Sequence, residues 1–122
     1  MHGCIAIVSD MIFATRIAST AKKLGTACAI VNDVGGLRAT LASDAPGTVL
    51  VDMHCDGMSP EEAIRTAKSV CPAARVVAFF SHVHTDLMEQ AAAAGADDVW
   101  PRSVFVQRLE AVLRATDRPG RR

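Results

Sequence analysis

Four residues of this 122-residue chain combine reactive chemistry with suggestive spacing: Asp10, Asp52, Ser81 and Arg102. Each stands at or just past the end of a short β-favouring run. In an open parallel α/β sheet, ligands bind beyond the carboxyl ends of the strands, where strand order reverses. That rule brings two carboxylates, a hydroxyl and a guanidinium into one pocket. A pair of carboxylates suits a hard cation such as magnesium, bound through oxygen ligands and retained waters. A carboxylate is also a nucleophile, able to take up a phosphoryl group in line. His54, His82 and His84 fall on loops at the same edge, and with Asp10 and Asp52 they compose a second possible set, imidazole plus carboxylate, suited to zinc or iron. The plain alternatives are that Asp10 caps a helix, Ser81 is a cap or loop residue, Arg102 is a solvated charge, Cys55 is a packed thiol and the histidines are exposed loop residues.

Five runs must act as strands for this convergence to happen. Cys4 to Val8, Ala27 to Val31, Thr48 to Val51 (ending at Asp52), Arg75 to Phe80 and Val99-Trp100 lack the polar alternation of a one-sided sheet, as expected of strands buried on both faces. Between them, apolar residues recur at helical spacing from Ile12 to Leu24, with Gly25 as a stop. Ser59-Pro60-Glu61-Glu62 opens a helix running to Val70: a capping serine, a proline at the first helical position, and Glu62 in the capping-box place. Thr85 to Ala94 and Val104 to Ala115 complete the helices. Val34 to Ser43 is a weaker one, because Gly35 and Gly36 each cost about 1 kcal/mol relative to alanine inside a helix. Strand and helix thus alternate five times, which with right-handed crossovers gives a three-layer α/β/α sandwich around a parallel sheet.

Lysine plus arginine and aspartate plus glutamate are equal at 13 each, so no global charge directs the chain to nucleic acid or membrane. The apolar run at the N-terminus breaks at Ser9 and Asp10, too early for a signal peptide or a spanning helix, which points to the cytoplasm. Four widely spaced cysteines without a C-x-x-C pair carry no disulfide framework. Residues 1–116 are expected to form one domain, and 117–122, with Pro119, Gly120 and three arginines, a disordered basic tail.

With these elements in place, the chain resembles the receiver domains of bacterial two-component response regulators. Asp52, in Val49-Leu50-Val51-Asp52-Met53, matches the phosphate-accepting aspartate ending the third strand. Asp10 matches the second member of the acidic pair, Ser81 the hydroxyl residue ending strand four, and Gly95-Ala96-Asp97-Asp98 the segment before strand five. The resemblance covers residues 3 to 115. It implies a flavodoxin-like sheet of order 2-1-3-4-5, phosphorylation on Asp52, phosphate contacts from Ser81 and Arg102, and weakly held magnesium at Asp10, Asp52 and His54. It also implies a histidine kinase or phosphotransfer protein as donor, a downstream effector as output partner, and a homodimer as one mode of signalling.

The departures matter as much. Ser9 replaces one acid of the pair, removing a negative charge from the cation site. Arg102 stands for the family's lysine and Ser103 for the proline after it; arginine keeps the charge but changes reach and geometry. Cys55-Asp56 replaces a Met-Pro pair, Val99 the switching aromatic, and His82 a small residue. These changes keep open a pseudo-receiver that binds partners without phosphotransfer, and, as a third class, a small metal- or cofactor-binding domain. Asp52-Met53-His54-Cys55-Asp56-Gly57 also spells the D-x-H-x-x-G signature of cobalamin-binding domains. It follows the third strand here rather than the first, and the partner motifs are missing. No Ser-His-Asp ordering or glycine-rich phosphate loop points to an enzyme.

Overall fold

The computed structural model describes residues 3–43, 46–81 and 85–116. Strands and helices alternate throughout: β1 (Cys4–Ile7), α1 (Met11–Leu24), β2 (Cys28–Val31), α2 (Val34–Ser43), β3 (Thr48–Asp52), α3 (Pro60–Val70), β4 (Arg75–Phe80), α4 (Thr85–Ala94), β5 (Asp98–Pro101) and α5 (Arg102–Thr116). The strands are all parallel in the order β2-β1-β3-β4-β5. The alternation, the layer arrangement and the strand order all match the expectation drawn from the sequence. The basic tail, His82 and His84 lie outside the described residues.

The unbroken apolar strands supply two cores at once, because successive side chains leave a strand on opposite faces. Ile5, Ile7, Val49, Val51, Val76, Ala78 and Phe80 face one layer, with Leu37 and Leu41 of α2, Ile64 and Ala67 of α3, and Ala91 of α4. Cys4, Ala6, Val8, Leu50, Val77 and Phe79 face the other, with Ile17 of α1 and Phe105, Leu109 and Leu113 of α5. The chain reverses its direction of progress across the sheet between β1 and β3, and Asp10 and Asp52 leave the sheet at that crevice.

Local chemistry explains the boundaries. Ser59 caps α3 by accepting from the Glu62 N–H at 3.3 Å, with Pro60 just inside. Gly25 ends α1 at φ 75, a left-handed conformation that glycine adopts without a Cβ penalty. The two glycines do not abolish α2: the Asp33 carboxylate accepts from the Gly36 N–H at 2.6 Å, and Leu37 and Leu41 bury one face of the helix. Burial outweighs propensity at that helix.

The end of the chain differs in detail from the expectation. β5 spans four residues and α5 begins at Arg102 rather than Val104, with no loop between them. Pro101 is tolerated in the strand because β5 is an edge, paired only with β4. The consequence is functional: Arg102 is the first residue of a helix, seated directly on the sheet edge.

Candidate functional site

Register sets the site. Ile7 pairs with Val51, Asp52 with Phe79, and Phe80 with Pro101. The residues that follow, Ser9-Asp10, Met53-His54, Ser81 and Arg102, therefore emerge side by side at one edge. The sheet thus brings Asp10, Asp52, His54, Ser81 and Arg102 to this edge, while His82 and His84 lie outside the described residues.

Asp52 is 1% exposed, an unusual place for a carboxylate unless it is paired. Its Oδ1 accepts the His54 backbone N–H at 2.9 Å, and its Oδ2 accepts from Arg102 Nη2 at 3.1 Å. Both oxygens thus have donors, one of them charged, which offsets the cost of burying the anion. Arg102 Nη1 lies 3.9 Å from Asp10 Oδ2. Asp10 also fulfils its plain reading: Oδ1 caps α1, accepting from the Ile12 and Phe13 N–H groups at 2.9 and 3.2 Å. One carboxylate serves both the helix and the guanidinium.

The guanidinium has a floor that the spacing of chemical groups did not announce. Its carbon lies 4.6 Å from the Phe13 ring centroid, within cation–π range. Phe13 stacks with Phe79 at 5.4 Å and with Phe105 at 6.0 Å, and those two stack on each other at 4.0 Å. Phe105 follows Arg102 by three residues, so helical spacing puts both on one face of α5; Phe13 follows Asp10 by three. Those intervals were the available signal. Arg102 Nε is buried and meets no acceptor among the described residues, so it adds to the cost of holding the side chain here.

The loop after β3 forms the second wall. His54 is half-buried, and its imidazole turns back to the sheet, where Nε2 accepts from the Ser81 N–H at 3.0 Å. An accepting Nε2 places the ring proton on Nδ1 in the neutral form. The Ser9 hydroxyl accepts from the Asp56 N–H at 2.8 Å and fastens the loop to the end of β1. Gly57 passes so close to the Asn32 carbonyl that a Cβ there would collide with it. Cys55 is buried and its thiol donates to the Met58 carbonyl at 3.4 Å, in accord with the packed-thiol alternative. Burial, and then the charge of Asp52, push this thiol up to about 11.

The metal expectation at Asp10, Asp52 and His54 meets a different arrangement. The two carboxylates converge on the Arg102 guanidinium, and the His54 ring nitrogen serves the Ser81 amide. Among the described residues no group of three or more His, Cys, Asp or Glu is placed to hold a metal ion. The physical reason is charge: arginine supplies, between the carboxylates, the positive charge that a cation would otherwise bring. The donor set present does not fit a three-ligand metal centre. Ser81 stands at the edge through its backbone contact with His54, and Val99 is a half-buried residue packed against the core.

No protein-family model and no curated protein matches the chain. Solved structures do. The receiver domain of NtrX from Brucella abortus superposes with a TM-score of 0.80 at 18% identity, over 93% of this chain and 96% of that one. A CheY-like response regulator receiver domain from Methanospirillum hungatei JF-1 gives 0.76 at 16% identity, over 98% and 100%. A response regulator from Burkholderia pseudomallei, solved with a phosphorylated aspartic acid, a calcium ion and citrate, gives 0.79 at 19% identity over 93% of this chain; the chain spans 66% of that protein. The fold is thus that of response regulator receiver domains. Among the described residues no helix is long and apolar enough to cross a membrane.

Proposed function

We propose that the chain is a receiver-type signalling module that accepts a phosphoryl group on Asp52 and reports it by protein contact. The observation that carries this reading is the position of Asp52: a buried carboxylate ending the central strand at the switch point, with one oxygen held by a backbone N–H and the other by a cationic side chain. The His54 N–H orients Oδ1, leaving Oδ2 to attack phosphorus as the donor bond breaks and the leaving group departs with its electron pair. Arg102, released from Oδ2, then follows the negative charge to the new phosphoryl oxygens, and Ser81 offers a hydroxyl at the same edge. The likeness to the Burkholderia pseudomallei regulator, solved with a phosphorylated aspartic acid, supports an aspartate as the kind of acceptor. The donor in this reading is a histidine kinase or phosphotransfer protein, and the output partner an effector or a second copy of the chain.

Two specific observations favour the pseudo-receiver as the second reading. Ser9 stands where an acid would strengthen a cation site and spends its hydroxyl on the loop, and Arg102 already pairs with Asp52 while reaching toward Asp10. In that case the scaffold presents a fixed surface to partners.

Acetyl phosphate or beryllofluoride, titrated with and without magnesium and followed by two-dimensional NMR at Asp52, Ser81 and Arg102, separates the two readings. Saturable shifts lost in Asp52→Ala support the phosphoacceptor. An unchanged spectrum at millimolar magnesium establishes the pseudo-receiver.

A further inference from the structure

At the opposite end of the sheet, two cysteines face each other. Cys4 of β1 and Cys28 of β2 are direct register partners in adjacent parallel strands. Both side chains join the core layer beneath α1 and α5, Cys4 buried and Cys28 half-buried. The strand ends are locked together here: the Cys4 N–H donates to the Ala27 carbonyl at 2.8 Å, and Gly3 packs so tightly that a Cβ on it would stand 3.0 Å from that same oxygen.

We propose that Cys4 and Cys28 are a site of reversible oxidation by peroxides, closing to a disulfide that ties the edge strand β2 to β1. Neighbouring strands lie about 4.8 Å apart, inside the Cα separation of about 4.4–6.8 Å that a disulfide spans. A disulfide also draws the Cβ atoms to about 3.5–4.5 Å, a small closure that β2 can make because β1 is its only strand neighbour.

The chemistry singles out Cys28 as the attacking sulfur. A hydrogen bond with Cys4 lowers the Cys28 thiol below its ordinary value, against an opposing effect of burial, whereas burial raises Cys55 and Cys71. Thiolate character governs reactivity toward peroxide. The Cys28 sulfur attacks one peroxide oxygen, the O–O bond breaks, and the departing hydroxide takes a proton to leave as water, giving a sulfenic acid. The Cys4 sulfur then attacks the Cys28 sulfur, the S–O bond breaks, and a second water leaves with the Cys4 proton. Two thiols and one peroxide become one disulfide and two waters.

The site is independent of Asp52, which lies at the other end of the strands. The test is to treat the folded full-length chain with hydrogen peroxide, block remaining thiols with iodoacetamide, and map tryptic peptides by mass spectrometry. The expected product joins peptide 1–16 to peptide 24–38, is reversed by dithiothreitol, and persists in a Cys55→Ser, Cys71→Ser double variant. Cys4→Ser should stop at a sulfenic acid on Cys28, trapped by dimedone, and Cys28→Ser should leave Cys4 alkylatable. Circular dichroism confirms that each variant is folded. Exclusive overoxidation of Cys28 in the folded wild type, or a link formed through Cys55 or Cys71 instead, overturns the proposal.

Discussion

Arg102 and Asp52 form an ion pair whose two ends sit in different media. The Asp52 side chain is 1% exposed, and that of Arg102 keeps 32% of its surface. The cation is therefore partly solvated and supported from below by Phe13, while the anion depends on its two donors. Such a pair is asymmetric: Arg102 can leave for water at modest cost, but Asp52 cannot remain ionised and unpaired without a large one. A carboxylate in this position favours any ligand or partner that restores a positive charge or spreads its own.

Replacing Arg102 by alanine should therefore destabilise the fold by about 2–3 kcal/mol, below the full figure for breaking a buried pair because the arginine is partly in water. The loss should shrink when Asp52 is already asparagine, since no buried charge is then stranded. Urea denaturation of the two single variants and the double variant measures the coupling. A coupling near zero would mean that the carboxylate draws its compensation from elsewhere. Arg102→Lys should fall between, because an ammonium keeps the positive charge but lacks the flat guanidinium that lies over the Phe13 ring.

Much of this edge is legible in the chain itself, for a definite reason. Strand periodicity and the switch-point rule depend on local patterns, and they are enough to place Asp10, Asp52, Ser81 and Arg102 together. What escapes is set by contacts between distant segments. The support of Arg102 by Phe13, the folding back of the His54 ring onto the Ser81 N–H, and the Ser9 hydroxyl holding the Asp56 amide each join residues from segments distant in the chain. Rotamer choice decides such contacts, and no spacing rule encodes it. The start of α5 at Arg102 escapes for another reason: Pro101 closes an edge strand, and nothing local to a proline says that the strand beside it is an edge.

The loop carrying His54 to Ser59 should tolerate no side chain at Gly57. A methyl group there meets the Asn32 carbonyl, backbone against backbone, so neither neighbour can rotate away. Gly57→Ala is expected to cost about 1–3 kcal/mol, the usual range for overpacking. It should also move the amide resonances of Asn32, Asp56 and His54 together. Thermal denaturation and a two-dimensional NMR spectrum check both parts, and a silent substitution would mean that the loop is free to shift.

Restoring the acid at position 9 tests whether charge limits the cation site. Ser9→Asp adds a second carboxylate beside Asp10 and should raise magnesium affinity by shifting the balance away from Arg102. The gain should disappear in a Ser9→Asp, Asp10→Asn double variant. NMR-monitored magnesium titration reads the difference directly. An unchanged affinity would show that Arg102, rather than the missing acid, governs the site; Arg102→Ala on the Ser9→Asp background would then be the variant to bind. The same substitution leaves an acceptor for the Asp56 N–H, so loop anchoring is preserved.

Cys55 makes a prediction about alkaline stability. Its folded-state value of about 11 stands above the ordinary 9.0, chiefly through burial and then through the Asp52 charge. A group raised on folding stabilises the native state while protonated in both states. The contribution is therefore complete below pH 9 and is lost as pH rises toward 11, because the unfolded chain releases this proton first. Each tenfold difference in proton affinity between the two states is worth about 1.4 kcal/mol, so the loss attributable to this thiol is at most about 2–3 kcal/mol. The chain contains no tyrosine to titrate over the same interval. Urea denaturation from pH 8 to 11 should show the wild type losing stability more steeply than Cys55→Ala, with the curves separating above pH 9. Parallel curves would mean that the thiol reaches solvent in the native state, and Cys55 would then alkylate at the rate of an exposed cysteine.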